Sequence, residues 1–257
     1  MLQWEIMDKD ELERQYSPRQ WSHRMSGDEV INAHVTSLKA GTETACNIAQ
    51  TLLDVPYGQG EDEKLDVYMP CITSAECPLL IYFHGGYWQF LSKAESGFMA
   101  VPLVSRGVAV VAVDYSIAPK GNMDLMVSQV RKSVVSIIQQ YSHIRCPSCG
   151  HGPLYRLVTV QYHSSDQREI ALHNSPIQLL QQLKVSSATS EIVVAVAQND
   201  SPEFRRQSED YFNALKSLGM KVTFEDVPNT DHFNIMENFV DSDYYLTQLL
   251  LKMMGKD

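Results

Sequence analysis

The stretch "PLLIYFHGGYWQ", residues 78–89, decides the fold. Its first half is a continuous apolar run, which suits a strand covered on both faces of a sheet. Its second half places His84 and two adjacent glycines, Gly85 and Gly86, directly behind that run, followed by Tyr87 and Trp88. Glycine permits close approach and positive φ, so a turn here can aim bare backbone N–H groups at something negatively charged. A plain Gly-Gly turn is the other reading.

Strands and helices alternate on either side of this stretch. "GVAVVAVDY" (107–115) is a second continuous apolar strand, and "EKLDVYMP" (63–70) alternates in polarity like a half-buried one. Over 122–141, Met126, Val130, Val134, Ile137, Ile138 and Tyr141 recur at three- and four-residue intervals and predict a helix with one apolar face. The carboxyl half repeats the rhythm. "EIVVAVAQND" (191–200) is a strand, "SPEFRRQSEDYFNALKSLG" (201–219) a helix closed by Gly219, "KVTFEDVP" (221–228) a strand, and 243–254 a final helix. The pattern predicts an α/β fold with a doubly wound, mostly parallel sheet. With 257 residues and 44% apolar content, the chain can bury a full core, and residues 1–257 are read as one domain.

Charge and composition narrow the partners. A net charge of −10 without a Lys/Arg cluster removes the electrostatic attraction that drives binding to phosphate backbones or anionic lipid. Neither nucleic acid nor membrane is expected as a partner. The amino terminus is charged and lacks an apolar core, and no stretch approaches the roughly 18–20 apolar residues of a membrane span, which predicts a cytoplasmic protein. The five cysteines, Cys46, Cys71, Cys77, Cys146 and Cys149, are odd in number and scattered, unlike a secreted disulfide framework. Cys146 and Cys149 form C-x-x-C with His151 and His163 beyond, but the spacing does not complete a zinc finger, and no metal site is assigned.

Chemistry in such sheets gathers at the carboxyl edges of the strands. Three edges carry suggestive residues. His84 to Trp88 follow the strand at 79–83, and N–H donors there could hold a developing oxyanion, each donor being worth about 3 kcal/mol of transition-state stabilisation. Asp200 follows the strand at 192–197, just before Ser201-Pro202, a good helix start. Its carboxylate could also cap that helix or lie solvated. His232 lies in "NTDHFNIMEN", after the strand at 221–227. An acid after one strand and a histidine after the next is the chain order Ser, Asp, His of α/β-hydrolases. Either residue alone is more often structural.

Four stretches carry a family resemblance: His84 to Trp88, "DYSIAPKG" (114–121), "QNDSPEFRRQS" (198–208) and "DHFNIMEN" (231–238). Together they resemble kynurenine formamidase, or arylformamidase, an α/β-hydrolase family of tryptophan catabolism. The likeness spans roughly 1–141 and 174–257. It implies hydrolysis of N-formyl-L-kynurenine to L-kynurenine and formate by a cytosolic enzyme without a cofactor. The partner it implies is a small aromatic formamide substrate, and a homo-oligomer stays open. Asp200 and His232 match the family's catalytic acid and base, and Gly85 and Gly86 its oxyanion turn. Tyr87, Trp88 and Phe90 suit a flat aromatic ligand, and core packing explains them almost as well.

One departure is severe. An α/β-hydrolase carries its nucleophile in G-x-S-x-G, on a strained turn between strand and helix, and no such pattern occurs in this chain. The atypical segment is 142–173, where the nucleophile-elbow region is shortened. "CGH" at 149–151 resembles the approach to the elbow, with Gly152 standing where serine belongs. Only about forty residues separate Gly150 from Ile192, and a parallel crossover alone takes a dozen or more, so about one helix and one strand are missing. "LYRLVTVQYH" (154–163), rich in β-branched and aromatic residues, is a candidate strand to fill part of the gap. Ser148, Cys149, Ser164 and Ser165 lie nearby, but none sits between elbow glycines, and the nucleophile is unassigned. Two readings stay open: a formamidase-family chain that is catalytically impaired, and a non-catalytic pseudoenzyme that binds a ligand or a partner.

Overall fold

The computed structural model describes residues 6–71, 77–141, 155–159, 173–180 and 191–256. The chain divides into two compact units, one of residues 1–34 and 175–237 and one of residues 35–174 and 238–257. The described α-helices, in chain order, are α1 (Lys9–Gln15), α2 (Gly27–Ile48), α3 (Ala100–Ser105), α4 (Met123–Gln140), α5 (Pro176–Leu179), α6 (Pro202–Ser217), α7 (Asn234–Glu237) and α8 (Tyr245–Met253).

The larger unit is built on five strands: β1 (Gln50–Pro56), β2 (Lys64–Met69), β3 (Leu79–Phe83), β4 (Ala109–Val113) and β5 (Tyr155–Thr159). Their order across the sheet is β1-β2-β4-β3-β5. The pairs β1–β2 and β2–β4 are antiparallel, while β3 runs parallel to both β4 and β5. Every residue of β3 and β4 is buried, as their unbroken apolar runs predict. Alternation divides those residues between two faces. Leu79, Ile81, Phe83, Ala109, Val111 and Val113 join Leu65, Val67 and Ile137 in one core, against which Val130, Val134 and Tyr141 pack. These α4 residues are the apolar stripe of the predicted helix, with one exception. Ile138 is 39% exposed, because a stripe of width 130–134–137–141 leaves the next position already turning toward solvent. On the other face, the ring of Tyr82 meets Phe98 edge-on at 5.7 Å, beside the buried Met99 and Leu103.

β5 occupies the register Leu79↔Tyr155 to Phe83↔Thr159, so the candidate strand at 154–163 does pair into the sheet, over its first half. Its position matters for the elbow. In an α/β-hydrolase the nucleophile follows the strand at this place, whereas Cys149 to Gly152 precede it in the chain. Those residues, with the other candidates Ser148, Ser164 and Ser165, lie outside the described residues.

In the smaller unit β6 (Glu191–Ala197) and β7 (Lys221–Val227) form a parallel pair. Helix α6 packs on both strands. Its boundaries are set by Ser201, whose Oγ accepts from the Phe204 N–H at 3.1 Å, by Pro202 at the first helical position, and by Gly219 at positive φ beyond the end.

Gly41, in the interior of α2, shows how tightly the larger unit is packed. A Cβ there would lie 2.7 Å from Phe98 Cβ and 3.1 Å from Phe98 Cα. Glycine to alanine inside a helix ordinarily stabilises by about 1 kcal/mol. Overpacking a core costs about 1–3 kcal/mol, and the contact here is with backbone as well as side chain, so the steric term wins. Gly41→Ala is expected to lower stability by about 1 kcal/mol or more in urea unfolding; a stabilised variant would show that α2 can move off Phe98 freely.

Candidate active site

The parallel register of β6 and β7 runs from Glu191↔Lys221 to Ala197↔Val227, so both strands end at one edge. Hydrogen bonding continues past that edge. Gln198 N–H donates to the Val227 carbonyl at 3.0 Å and Asn199 N–H to the Thr230 carbonyl at 2.9 Å. The Gln198 side-chain oxygen accepts from Asn229 N–H at 2.9 Å, where Asn229 takes the left-handed conformation that asparagine tolerates. These bonds tie the two loops together and bring their functional candidates into contact: His232 Nδ1 lies 2.9 Å from Asp200 Oδ2.

A carboxylate only accepts, so Nδ1 carries the proton and Nε2 is the basic nitrogen of the neutral ring. Asp200 is held in turn by the Ser201 N–H, which donates to its Oδ1 at 2.9 Å. Capping of α6, the alternative role for Asp200, falls to Ser201 instead. The His232 ring is bracketed by Phe204 and Phe233, with centroids at 5.2 and 5.5 Å and both contacts edge-on. Acid and imidazole are both largely buried, which strengthens their bond and limits rotation of the ring.

In the larger unit, the turn after β3 is built around His84. Its ring stacks on Tyr115 at 4.3 Å and 4°, and Tyr115 Oη donates to the His84 carbonyl at 2.6 Å. His84 Nδ1 lies 2.9 Å from the Gly85 carbonyl, which makes Nδ1 the donor. Nε2 lies 3.4 Å from Asp114 Oδ1. Since C=O and N–H point opposite ways across a trans peptide, holding the Gly85 carbonyl against the histidine ring turns the Gly86 N–H away from it. Among the described residues, none accepts a hydrogen bond from the Gly85 or Gly86 N–H.

Gly86 has φ +102°, and a Cβ there would meet the Phe90 carbonyl oxygen at 2.1 Å. Only glycine fits. Tyr87 and Trp88 follow at φ 54° and 61°, an uncommon run of left-handed residues that costs energy and is typical of functional turns. Trp88 rests edge-on against Tyr115 at 5.8 Å, and its carbonyl accepts from Ala118 N–H at 2.7 Å. Phe90 is 48% exposed, so core packing does not explain that aromatic.

Sequence reasoning missed Asp231, next to the histidine. Its Oδ1 accepts from the N–H groups of Phe233 (3.0 Å) and Asn234 (2.8 Å), and its own N–H donates to Asn234 Oδ1 at 2.7 Å. This is a reciprocal cap on α7, and "DHFN" carries its signature of an acceptor followed three residues later by a side chain that reaches back. Burial pushes the Asp231 carboxyl up, but hydrogen bonds from Arg24, Ser22 and Asn234 outweigh it and hold the group below the usual carboxylate range. Glu237 behaves alike: burial raises it, and His34 and Arg24 lower it further than that.

Among the described residues there is no cluster of three or more metal-ligating side chains, and no helix is long and apolar enough to cross a membrane. A family model described as BD-FAE matches residues 65–145. The chain is 61% identical to "Kynurenine formamidase" of Salmo salar over 293 residues and 58% identical to that of Danio rerio over 292, each alignment covering 100% of both chains. The first alignment is 36 positions longer than the 257 residues here. Among solved structures, a putative thioesterase from silicibacter sp. tm1040 superposes with a TM-score of 0.67 at 17% identity, covering 88% of this chain and 94% of its own. That likeness shows the fold, which is of the α/β-hydrolase type.

The two lowered carboxyls predict a pH dependence of definite sign. A carboxyl whose folded pKa is depressed stabilises the folded state above its unfolded pKa, about 4, and that contribution is lost as pH falls through the folded value. Stability of the His232 loop is therefore expected to decline as pH drops from about 4.5 downward. Asp231→Asn should flatten this decline in pH-dependent urea unfolding; an unchanged slope would remove Asp231 from the account.

Proposed function

The chain belongs to the kynurenine formamidase family, and on that footing we propose that its chemistry is the hydrolysis of N-formyl-L-kynurenine to L-kynurenine and formate, with this chain impaired in it. Asp200 and His232 are the acid and base of that reading, and the Gly85 and Gly86 N–H groups its oxyanion donors. The observation that carries it is the 2.9 Å bond between Asp200 and His232. It sets the tautomer with the proton on Nδ1 and the basic lone pair on Nε2, the one a base needs before attack on a carbonyl.

In the complete reaction a serine hydroxyl gives its proton to His232 Nε2 and its oxygen bonds to the formyl carbon. The tetrahedral oxyanion accepts from backbone N–H donors. Collapse expels the aryl amine, which takes the proton from the imidazolium, and leaves a formyl ester. Water, deprotonated by the same nitrogen, then attacks that ester and releases formate. A flat aromatic amide suits the exposed ring of Phe90.

The first of these steps needs an oxygen that the chain lacks in its family place, since no G-x-S-x-G occurs. The 36 unmatched positions in the alignment agree with a missing helix and strand. The same observation favours a second reading, a non-catalytic relative that keeps a binding surface. Without the nucleophile, acceleration from binding and oxyanion donors alone is about 10³- to 10⁴-fold over water in comparable hydrolases. The purified chain is expected to take no covalent label from a fluorophosphonate and to turn over N-formyl-L-kynurenine only at that residual level. Stoichiometric labelling with fast turnover would overturn the impairment, and the labelled residue would identify the substitute nucleophile.

A further inference from the structure

We propose that Arg24 is a positioning residue for His232, acting through the two carboxylates that bracket it in the chain; the inference rests on the reading of His232 as the base. The Arg24 guanidinium reaches Asp231 through Nε at 2.8 Å and Nη2 at 3.3 Å, and Glu237 through Nη1 at 3.0 Å and Nη2 at 3.3 Å. Asp231 immediately precedes His232, and Glu237 closes the short helix α7 behind it. One planar group thus grips the loop on both sides of the imidazole.

The grip is stiff for three reasons. Asp231 and Glu237 side chains are only 4% and 10% exposed, and a buried carboxylate deprived of its cation is strongly disfavoured. Each carboxylate has a further partner that fixes its orientation: Ser22 Oγ donates to Asp231 Oδ2 at 2.6 Å, and His34 Nδ1 lies 2.9 Å from Glu237 Oε1. Asp231 also holds the backbone N–H groups of Phe233 and Asn234, so fixing its carboxylate fixes the two peptide units that follow His232. A lysine could not do the same. Its single ammonium is a point donor, whereas the guanidinium fork spans two acceptors in one plane.

The role predicts a signature at His232 itself. The Nδ1 proton shared with Asp200 should give a low-field proton resonance in protein labelled with ¹⁵N-histidine, assigned by its disappearance in His232→Gln. Arg24→Ala and Arg24→Lys should both speed exchange of that proton with water roughly tenfold or more, because local opening of the loop becomes easier. Arg19→Ala, which breaks the exposed Arg19–Asp28 pair, should leave it unchanged. A resonance and exchange rate unaltered in folded Arg24→Ala would reduce Arg24 to a fold-stabilising contact and overturn the proposal. Should that variant not fold, the isosteric Glu237→Gln, which removes one of the two gripped charges, decides the matter: faster exchange supports the proposal, and an unchanged rate overturns it. The readout is independent of turnover, so it tests Arg24 whatever the activity of the chain, while the reading of His232 as the base fails separately if activity restored with a serine-bearing segment survives His232→Ala.

Discussion

The parallel pairing of β6 with β7, with Ala197 opposite Val227, is the constraint on which the candidate chemistry depends. Asp200 and His232 are 32 residues apart in the chain, and neither loop could hold its side chain at hydrogen-bonding distance unaided. The ladder brings both strand ends to one edge, and the bonds from Gln198 and Asn199 carry the pairing three residues further. A slip of one residue in a parallel pair would reverse the faces of an entire strand. It would also move the carboxylate away from the imidazole, so the sheet register and the Asp200–His232 bond are one structural fact.

The same economy appears in the turn after β3. His84 contributes no chemistry that its surroundings reveal. Its ring and its carbonyl are pinned by the Gly85 carbonyl and Tyr115, and this fixes a peptide plane. Glycine at 86 then allows the backbone to pass the Phe90 carbonyl at a distance no Cβ would permit. The strained residues that follow are held by packing on Tyr115 and a bond from Ala118, which meets the cost of their left-handed conformation.

Much of this was legible in the sequence, because burial on both faces leaves unbroken apolar runs and strand ends leave polar residues. β3 and β4 follow that signal, β6 and β7 are marked by their β-rich runs and polar ends, and helices α4 and α6 by apolar periodicity and end signals. β2 is marked by its alternation, but it is buried on both faces rather than half-buried, since Asp66 and Tyr68 are covered too. α2 and β1 did not announce themselves. Helix α2 buries small or widely spaced residues such as Val30, Leu38 and Ala45, and an interior glycine reads as a breaker until its closeness to Phe98 is known. β1 is an edge strand with Leu52 and Leu53 about half exposed and a bulge at Asp54 in the left-handed region, so its polarity does not alternate. The local cap of Asp231 was readable in "DHFN", but its ion pair was not, because its partners Ser22 and Arg24 lie more than two hundred residues away in the chain and long-range pairs leave no local pattern.

The chain keeps a bonded aspartate–histidine pair and a glycine turn, yet carries no serine in a G-x-S-x-G pattern. Selection on a binding surface and recent loss of a segment would leave the same residues behind, and restoring the segment separates them. The decisive measurement is turnover of N-formyl-L-kynurenine by a chimaera in which residues 142–173 are replaced by a relative's segment containing Gly-His-Ser-x-Gly. The account predicts that fluorophosphonate labelling and turnover appear together, and that His232→Ala in the chimaera abolishes both. A folded chimaera that stays inert, or one whose activity survives loss of His232, would contradict it.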